Sequence, residues 1–195
     1  MVGIDTERIA AAVAEILAAI GEDPRRPGLA ETPRRVAAAH LEYFSGVGAD
    51  PLDHLADTLP ADEATGDLVL VRDIEFRSTC EHHLVPFVGV AHIAYAPRDV
   101  IVGLGRLPLV VDTLASRPQL QERLTEEIAD ALQAGLDPRG VFVLIDATQF
   151  CVSARGARQS RSTTVTMAAR GVFADPAGRA EIVAIIGREH TGDRS

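Results

Sequence analysis

Leu68-Val-Leu-Val-Arg-Asp-Ile-Glu-Phe76, then Ser78-Thr79-Cys80-Glu81-His82-His83, then a second apolar run from Leu84 to Tyr95: the fold turns on this stretch. β-Branched and aromatic residues crowd both runs, which predicts two strands joined through a polar segment, with Pro86 marking an edge or a bulge. Val100 to Gly103 continues the β pattern. Upstream the period is helical. Ile9, Val13, Ile16, Leu17 and Ile20 share a face between Asp5 or Thr6 as cap and Gly21 as terminator, and Thr32-Pro33 reads as N-cap and first position of a second helix reaching about Phe44. The polar stretch from Gly46 to Asp67 is expected to be a linker holding a short helical turn. Downstream, a short helix is expected around Leu109 to Ala115, and a longer one from Pro118 to about Gly135 carries Leu120, Leu124, Ile128 and Leu132 on one stripe. Val141 to Asp146 and Ser162 to Ala169 read as strands, and Pro176 to Ile186 as a closing helix. Helices and strands thus come in clusters rather than in strict alternation, which indicates an α+β fold with a mainly antiparallel sheet.

At 195 residues the chain suits one domain with an appended segment, and with 47% apolar residues it is no disordered polymer. No apolar run approaches the roughly 20 residues of a membrane span. The start, Met1 to Asp5, lacks the pattern of a signal peptide, so a cytoplasmic, reducing setting is expected, where the two cysteines serve as ligands or thiols rather than as a disulfide. A net charge of −9 argues against a nucleic-acid partner. All 19 basic residues are arginine, which excludes Schiff-base chemistry and a Walker lysine. Arg155, Arg158 and Arg161 cluster just after Cys151, and forked guanidinium groups there suit a phosphate; the plainer alternative is a solvated strand edge.

Cys80 and His83 stand at a spacing that can close on one Zn²⁺, and Cys151, at the end of another strand, supplies a third ligand. The competing view makes Cys80 a small buried hydrophobe and the histidines a polar turn. Three protein ligands leave a fourth position open, as in catalytic zinc, which lowers the pKa of bound water to about 7 and points to hydrolysis. His82, which cannot easily share that metal, is then free to act as general acid or base. Glu81 either orients a ligand or is solvated.

The segments Glu31-Thr-Pro-Arg-Arg-Val36, Ser78 to His83, Gly103-Leu-Gly-Arg-Leu107, Arg117-Pro-Gln-Leu-Gln-Glu-Arg-Leu124 and Cys151-Val-Ser-Ala-Arg-Gly156 resemble GTP cyclohydrolase I in order and spacing, over nearly the whole chain to Arg188. The resemblance implies the tunnelling fold, a mainly antiparallel sheet with helices packed on one side, preceded by a helical extension over residues 1–60 and forming a catalytic unit over 61–195. It implies a homodecamer with active sites between subunits. It also implies that Cys80, His83 and Cys151 hold zinc, that His82 transfers protons, that Glu122 grips the guanine edge with help from Gln121, and that Arg155, with Arg35 and Arg106, binds the triphosphate. The implied reaction opens the imidazole ring of GTP at C8, releases formate and closes 7,8-dihydroneopterin triphosphate, a precursor of folate and other pterins.

Departures from the family pattern bear on that reaction. Gln149 stands where the family has a histidine; were this stretch extended, residues 149 and 151 would share a face and Gln149 would flank the metal. A glutamine cannot shuttle a proton at neutral pH. Arg106 replaces a lysine and stays basic, whereas Leu109 stands where the family has an arginine and Gly105 where it has a serine, and these two weaken the expected phosphate grip. Two further readings follow: a diverged paralogue that stops at the ring-opened formamidopyrimidine or takes another purine nucleotide, and a zinc-stabilised binding module without catalysis.

Overall fold

The computed structural model describes residues 3–62 and 66–187; Arg188, where the resemblance is expected to end, lies outside them. Helix α1 (Thr6–Ala19) is capped by the Asp5 carboxylate, which accepts from the Arg8 N–H at 3.0 Å. Helix α2 (Thr32–Tyr43) starts one residue earlier than the expected cap allows: Glu31 is the N-cap, already in helical conformation, and its carboxylate pairs with Arg34 at 3.0 Å. The turn before it is hydrogen-bonded in its own right, with Thr32 N–H donating to Leu29 O at 2.9 Å, so Thr32 enters the helix instead of capping it.

A five-stranded sheet with order β5-β2-β3-β6-β7 forms the centre of the molecule. Strands β2 (Val69–Cys80), β3 (Pro86–Ala96), β6 (Gly140–Gln149) and β7 (Thr164–Gly171) run antiparallel to their neighbours, while β5 (Pro118–Gln119) adds two residues parallel to the end of β2. The first strand runs past its expected end at Phe76 because pairing with β3 continues to Thr79 opposite Pro86, and Ser78 donates its buried hydroxyl to Ala115 O at 2.7 Å. Pro86 opens β3, a place where a missing N–H costs no ladder bond. Outside this sheet, β1 (Thr58–Pro60) pairs with β4 (Val100–Val102). The linker therefore holds an unexpected strand besides its expected short helix, a 3₁₀ turn over Pro51–Leu55.

One face of the sheet meets helices α3 (Arg106–Ala115) and α4 (Gln121–Leu136). Ile93, Tyr95, Val143 and Ile145 pack there against Leu107, Val110, Leu124, Ile128 and Leu132 in one core. Each fully buried aliphatic side chain contributes about 1.5–3 kcal/mol, so this seam fixes the α4 N-terminus against the sheet edge. This is the expected α+β architecture. The closing helix α6 (Pro176–Ile186) covers part of the opposite face, where Ile182 packs on Ala94, Phe142 and Leu144. Strand β6 is therefore buried on both faces, which explains its unbroken apolar run.

Gly89 lies opposite Ala147 in the β3–β6 register, and a Cβ added there would strike the main-chain oxygen of Asp146. Gly89→Ala is expected to destabilise the protein by about 3 kcal/mol, the upper part of the range for overpacking. A thermal-unfolding midpoint lowered by several degrees is the expected result; an unchanged midpoint contradicts this register.

Candidate metal centre

Strand β2 ends at Cys80, and the chain folds back at once. Cys80 N–H donates to Val85 O and Leu84 N–H to Cys80 O, both at 2.8 Å, with Leu84 in the left-handed region at φ 51°. A leucine in that conformation is strained and is held only by surrounding bonds, here the tight closure that returns His83 over Cys80. Glu81 N–H donates to Gln119 O at 3.0 Å, and the Glu81 carboxylate forms a two-point pair with Arg123 of α4 at 2.6 and 3.0 Å. That guanidinium, mainly through its hydrogen bond, holds the Glu81 carboxyl below its usual range. Glu81 thus ties the loop to α4 and has no oxygen aimed at a metal.

Cys151 arrives by a different route from the one its sequence suggests. Strand β6 stops at Gln149 and the chain winds directly into a single turn, α5 (Phe150–Ser153). Residues 149 and 151 therefore do not lie along one extended face. The turn carries Cys151 to Cys80, and the ligand atoms of Cys80, His83 and Cys151 all lie within 4.8 Å of one another. Both cysteines are free thiols. Burial, and next the adjacent Cys80 thiol, push the Cys151 thiol up from its usual range. Two thiols beside one imidazole form a soft donor set that fits a divalent ion, which binds the sulfurs as thiolates.

Two of the three ligands, Cys80 and Cys151, line a cavity of about 450 Å³, a size in the range of small-ligand sites. Cys80, Cys151, His82, Gln121, Glu122 and Gln149 all line it. His82 meets the ring of His83 edge to face at 6.3 Å, and it is not among the converging ligand atoms. Glu122 is exposed in the first turn of α4. Gln121 is 3% exposed and its amide is taken up by the sheet. Arg155 stands at the rim, donating to His83 Nε2 at 2.9 Å. Arg35 and Arg106 do not line this cavity: Arg35 is on exposed α2, and Arg106 begins α3, 3.5 Å from Asp57. Leu109 is 42% exposed on α3, whose N-cap is Gly105.

The sequence reading missed Gln119, a cavity-lining residue that donates to Leu114 O at 3.2 Å and to the Glu127 carboxylate at 2.7 Å. Pro118 had been read as the start of a helix, but pairing with the exposed end of β2 keeps Pro118 and Gln119 extended, and the helix begins at Gln121. A two-residue strand leaves no periodicity by which to find it.

Two thiols and an imidazole converging at one sheet edge, above a cavity that also holds a free histidine and a carboxylate, are the arrangement of a metal-dependent enzyme. The family model for GTP cyclohydrolase I matches residues 9–187. The chain is 58% identical over 187 residues to GTP cyclohydrolase 1 of Leifsonia xyli subsp. xyli, covering 96% of this chain and 98% of that one. It is 54% identical to GTP cyclohydrolase 1 of Clostridioides difficile over 185 residues, 94% of this chain and 97% of the other, and 50% identical to that of Streptomyces griseus subsp. griseus over 184 residues, 93% and 90%. The chain belongs to the GTP cyclohydrolase I family.

Proposed function

We propose that this chain is a zinc-dependent hydrolase that opens the imidazole ring of GTP at C8 and carries the product through to 7,8-dihydroneopterin triphosphate and formate. The observation that carries the reading is the convergence of Cys80, His83 and Cys151 on one cavity with His82 and Glu122, in a chain of this family. Zinc held by the two thiolates and His83 supplies Lewis-acid polarisation at its open position. The rest is the work of the chain's own groups. His82, outside the ligand set and facing the cavity, delivers a proton to N7 as water adds to C8. The C8–N9 bond then breaks, N9 takes up the proton the added water gives up, and the carbon stays on N7 as a formamide until the second hydrolysis. Glu122 accepts from the N1–H and 2-amino group of guanine, one carboxylate facing two parallel donors. Gln121, whose amide is bonded to the sheet, anchors the first turn of α4 from which Glu122 projects. Arg155, at the rim, takes the triphosphate.

Arg35 and Arg106 reach the phosphates from other copies of the chain in a homodecamer whose active sites lie between subunits. Their distance from the cavity within one chain and the exposure of Ile16 and Ile20 on α1, at 58% and 69%, favour such an assembly. Residues 1–60, helical in α1 and α2, count as an extension of a catalytic unit assigned to 61–195, to which β1 is joined through β4 and Leu55 through the core. Among the described residues no helix is long and apolar enough to cross a membrane, and the free thiols suit a cytoplasmic enzyme. One observation favours a second reading, arrest at the formamidopyrimidine: Gln149 spends its amide on Gln121 at 2.7 Å and carries no proton to give.

Release of formate from GTP tests the proposal, with Glu122→Gln as its sharper arm. The amide sets an NH₂ against the donors of guanine, so KM for GTP is expected to rise by on the order of tenfold to a hundredfold while bound zinc stays constant. An unchanged KM contradicts the role given to Glu122, and the lack of any formate contradicts the reaction.

A further inference from the structure

The groups behind the cavity admit only one hydrogen-bond arrangement. Gln121 Nε2 lies 3.2 Å from Ile145 O, 2.8 Å from Thr164 O and 3.2 Å from Thr166 Oγ1. Two of these partners are carbonyl oxygens, which only accept, so this end of the side chain is the amide nitrogen; turned over, Gln121 would set its own oxygen against both. Thr125 gives its single hydroxyl proton to Gln121 O at 2.8 Å. In the 2.6 Å contact between Thr125 and Thr166 the donor is therefore Thr166, and its oxygen shares with a carbonyl one of the two Gln121 amide protons. The Oε1 of Gln121 is thereby aimed at Gln149, whose Nε2 donates to it at 2.7 Å. The remaining group of Gln149, its carbonyl oxygen, has no donor among the described residues, and the residue lines the cavity beside Cys80 and Cys151.

We propose that Gln121 is a positioning residue that locks Gln149 with its carbonyl oxygen toward the reacting carbon, making position 149 a fixed hydrogen-bond acceptor rather than a proton carrier. This rests on the ring-opening reading given above. The acceptor receives the hydroxyl or N–H that develops when the ring carbon is attacked, and because the sheet holds it in place, no reorganisation is needed as charge shifts. A histidine at the same place offers the same pair of faces, an N–H toward Gln121 Oε1 and a lone pair toward the cavity.

A double-mutant cycle between Gln121→Met and Gln149→Met tests the lock. Each single variant is expected to lower kcat by about tenfold or more with KM within about threefold, and the double variant is expected to be no worse than Gln149→Met. Gln149→His is expected to restore turnover, whereas Gln149→Glu, which keeps the size and gains an oxygen but has no N–H for Gln121, is expected to fail like methionine. Gln149→Glu needs no change at the buried position, so it decides the matter even if Gln121→Met does not fold. Full activity in Gln149→Glu overturns the proposal, as do losses that multiply in the double variant or an intact kcat in Gln121→Met. The same cycle read by denaturant unfolding needs no turnover: coupled losses support the lock and additive losses overturn it. Absence of turnover in the unaltered protein therefore counts against the ring-opening reading alone, while the unfolding cycle still decides the lock.

Discussion

Cys151→Ala is expected to strip the protein of its metal and bring GTP turnover to the uncatalysed background. Among the described residues three ligand atoms converge at the centre, and the change leaves one thiol and one imidazole. If three ligands share a binding free energy of about 10–16 kcal/mol, losing one weakens affinity by on the order of a thousandfold or more. The fold has little to lose, because Cys151 sits half-buried in a single turn at the edge of the core. Metal analysis after dialysis against a chelator should therefore show loss of zinc with an unfolding midpoint close to that of the metal-free parent. Stoichiometric zinc in Cys151→Ala would mean that the metal is held elsewhere. His83→Ala is expected to behave in the same way.

His82→Ala, one residue away from His83, is expected to do the opposite: keep its zinc and lose its chemistry. The 6.3 Å edge-to-face separation of the two rings keeps His82 off the ligand set while leaving it on the cavity wall. General acid–base groups supply about 10²–10⁴ in rate, and with Gln149 unable to carry a proton no second imidazole among the described residues lines the cavity to stand in. A fall in kcat of that order, at constant zinc content and with GTP binding changed by no more than a few-fold, is the expected outcome. A His82→Ala protein that retains its kcat assigns proton transfer to another group.

Much of the architecture is legible in the residues. Strands buried on at least one face announce themselves through β-branched runs, and α4 through its leucine stripe, because burial against a single core imposes those periods. What stays hidden depends on pairing between distant segments. Strands β1 and β5, of three and two residues, exist only because another chain segment completes their hydrogen bonds. The extension of β2 to Cys80 is of the same kind, since Ser78 and Thr79 look like a polar turn until β3 pairs with them.

The metal centre divides in the same way. Cys80 and His83 are close in sequence, and a tight turn settles their approach. A cysteine at a strand end draws attention to Cys151 in the sequence, but it is a turn of helix, not an extended strand, that carries it to Cys80 and His83. The burial of Gln121 left no trace, because its partners Ile145, Thr164 and Thr166 lie on strands that periodicity alone cannot place beside α4. Arg35 and Arg106 match family positions in sequence and lie away from the cavity of their own chain.

The most direct test is the mass of the product formed from GTP by the zinc-loaded protein. Formate and 7,8-dihydroneopterin triphosphate in equal amounts are the predicted result, with an acceptor at position 149 sufficing where a histidine is usual. Recovery of intact GTP, or of a ring-opened nucleotide that keeps its formyl carbon, would contradict it.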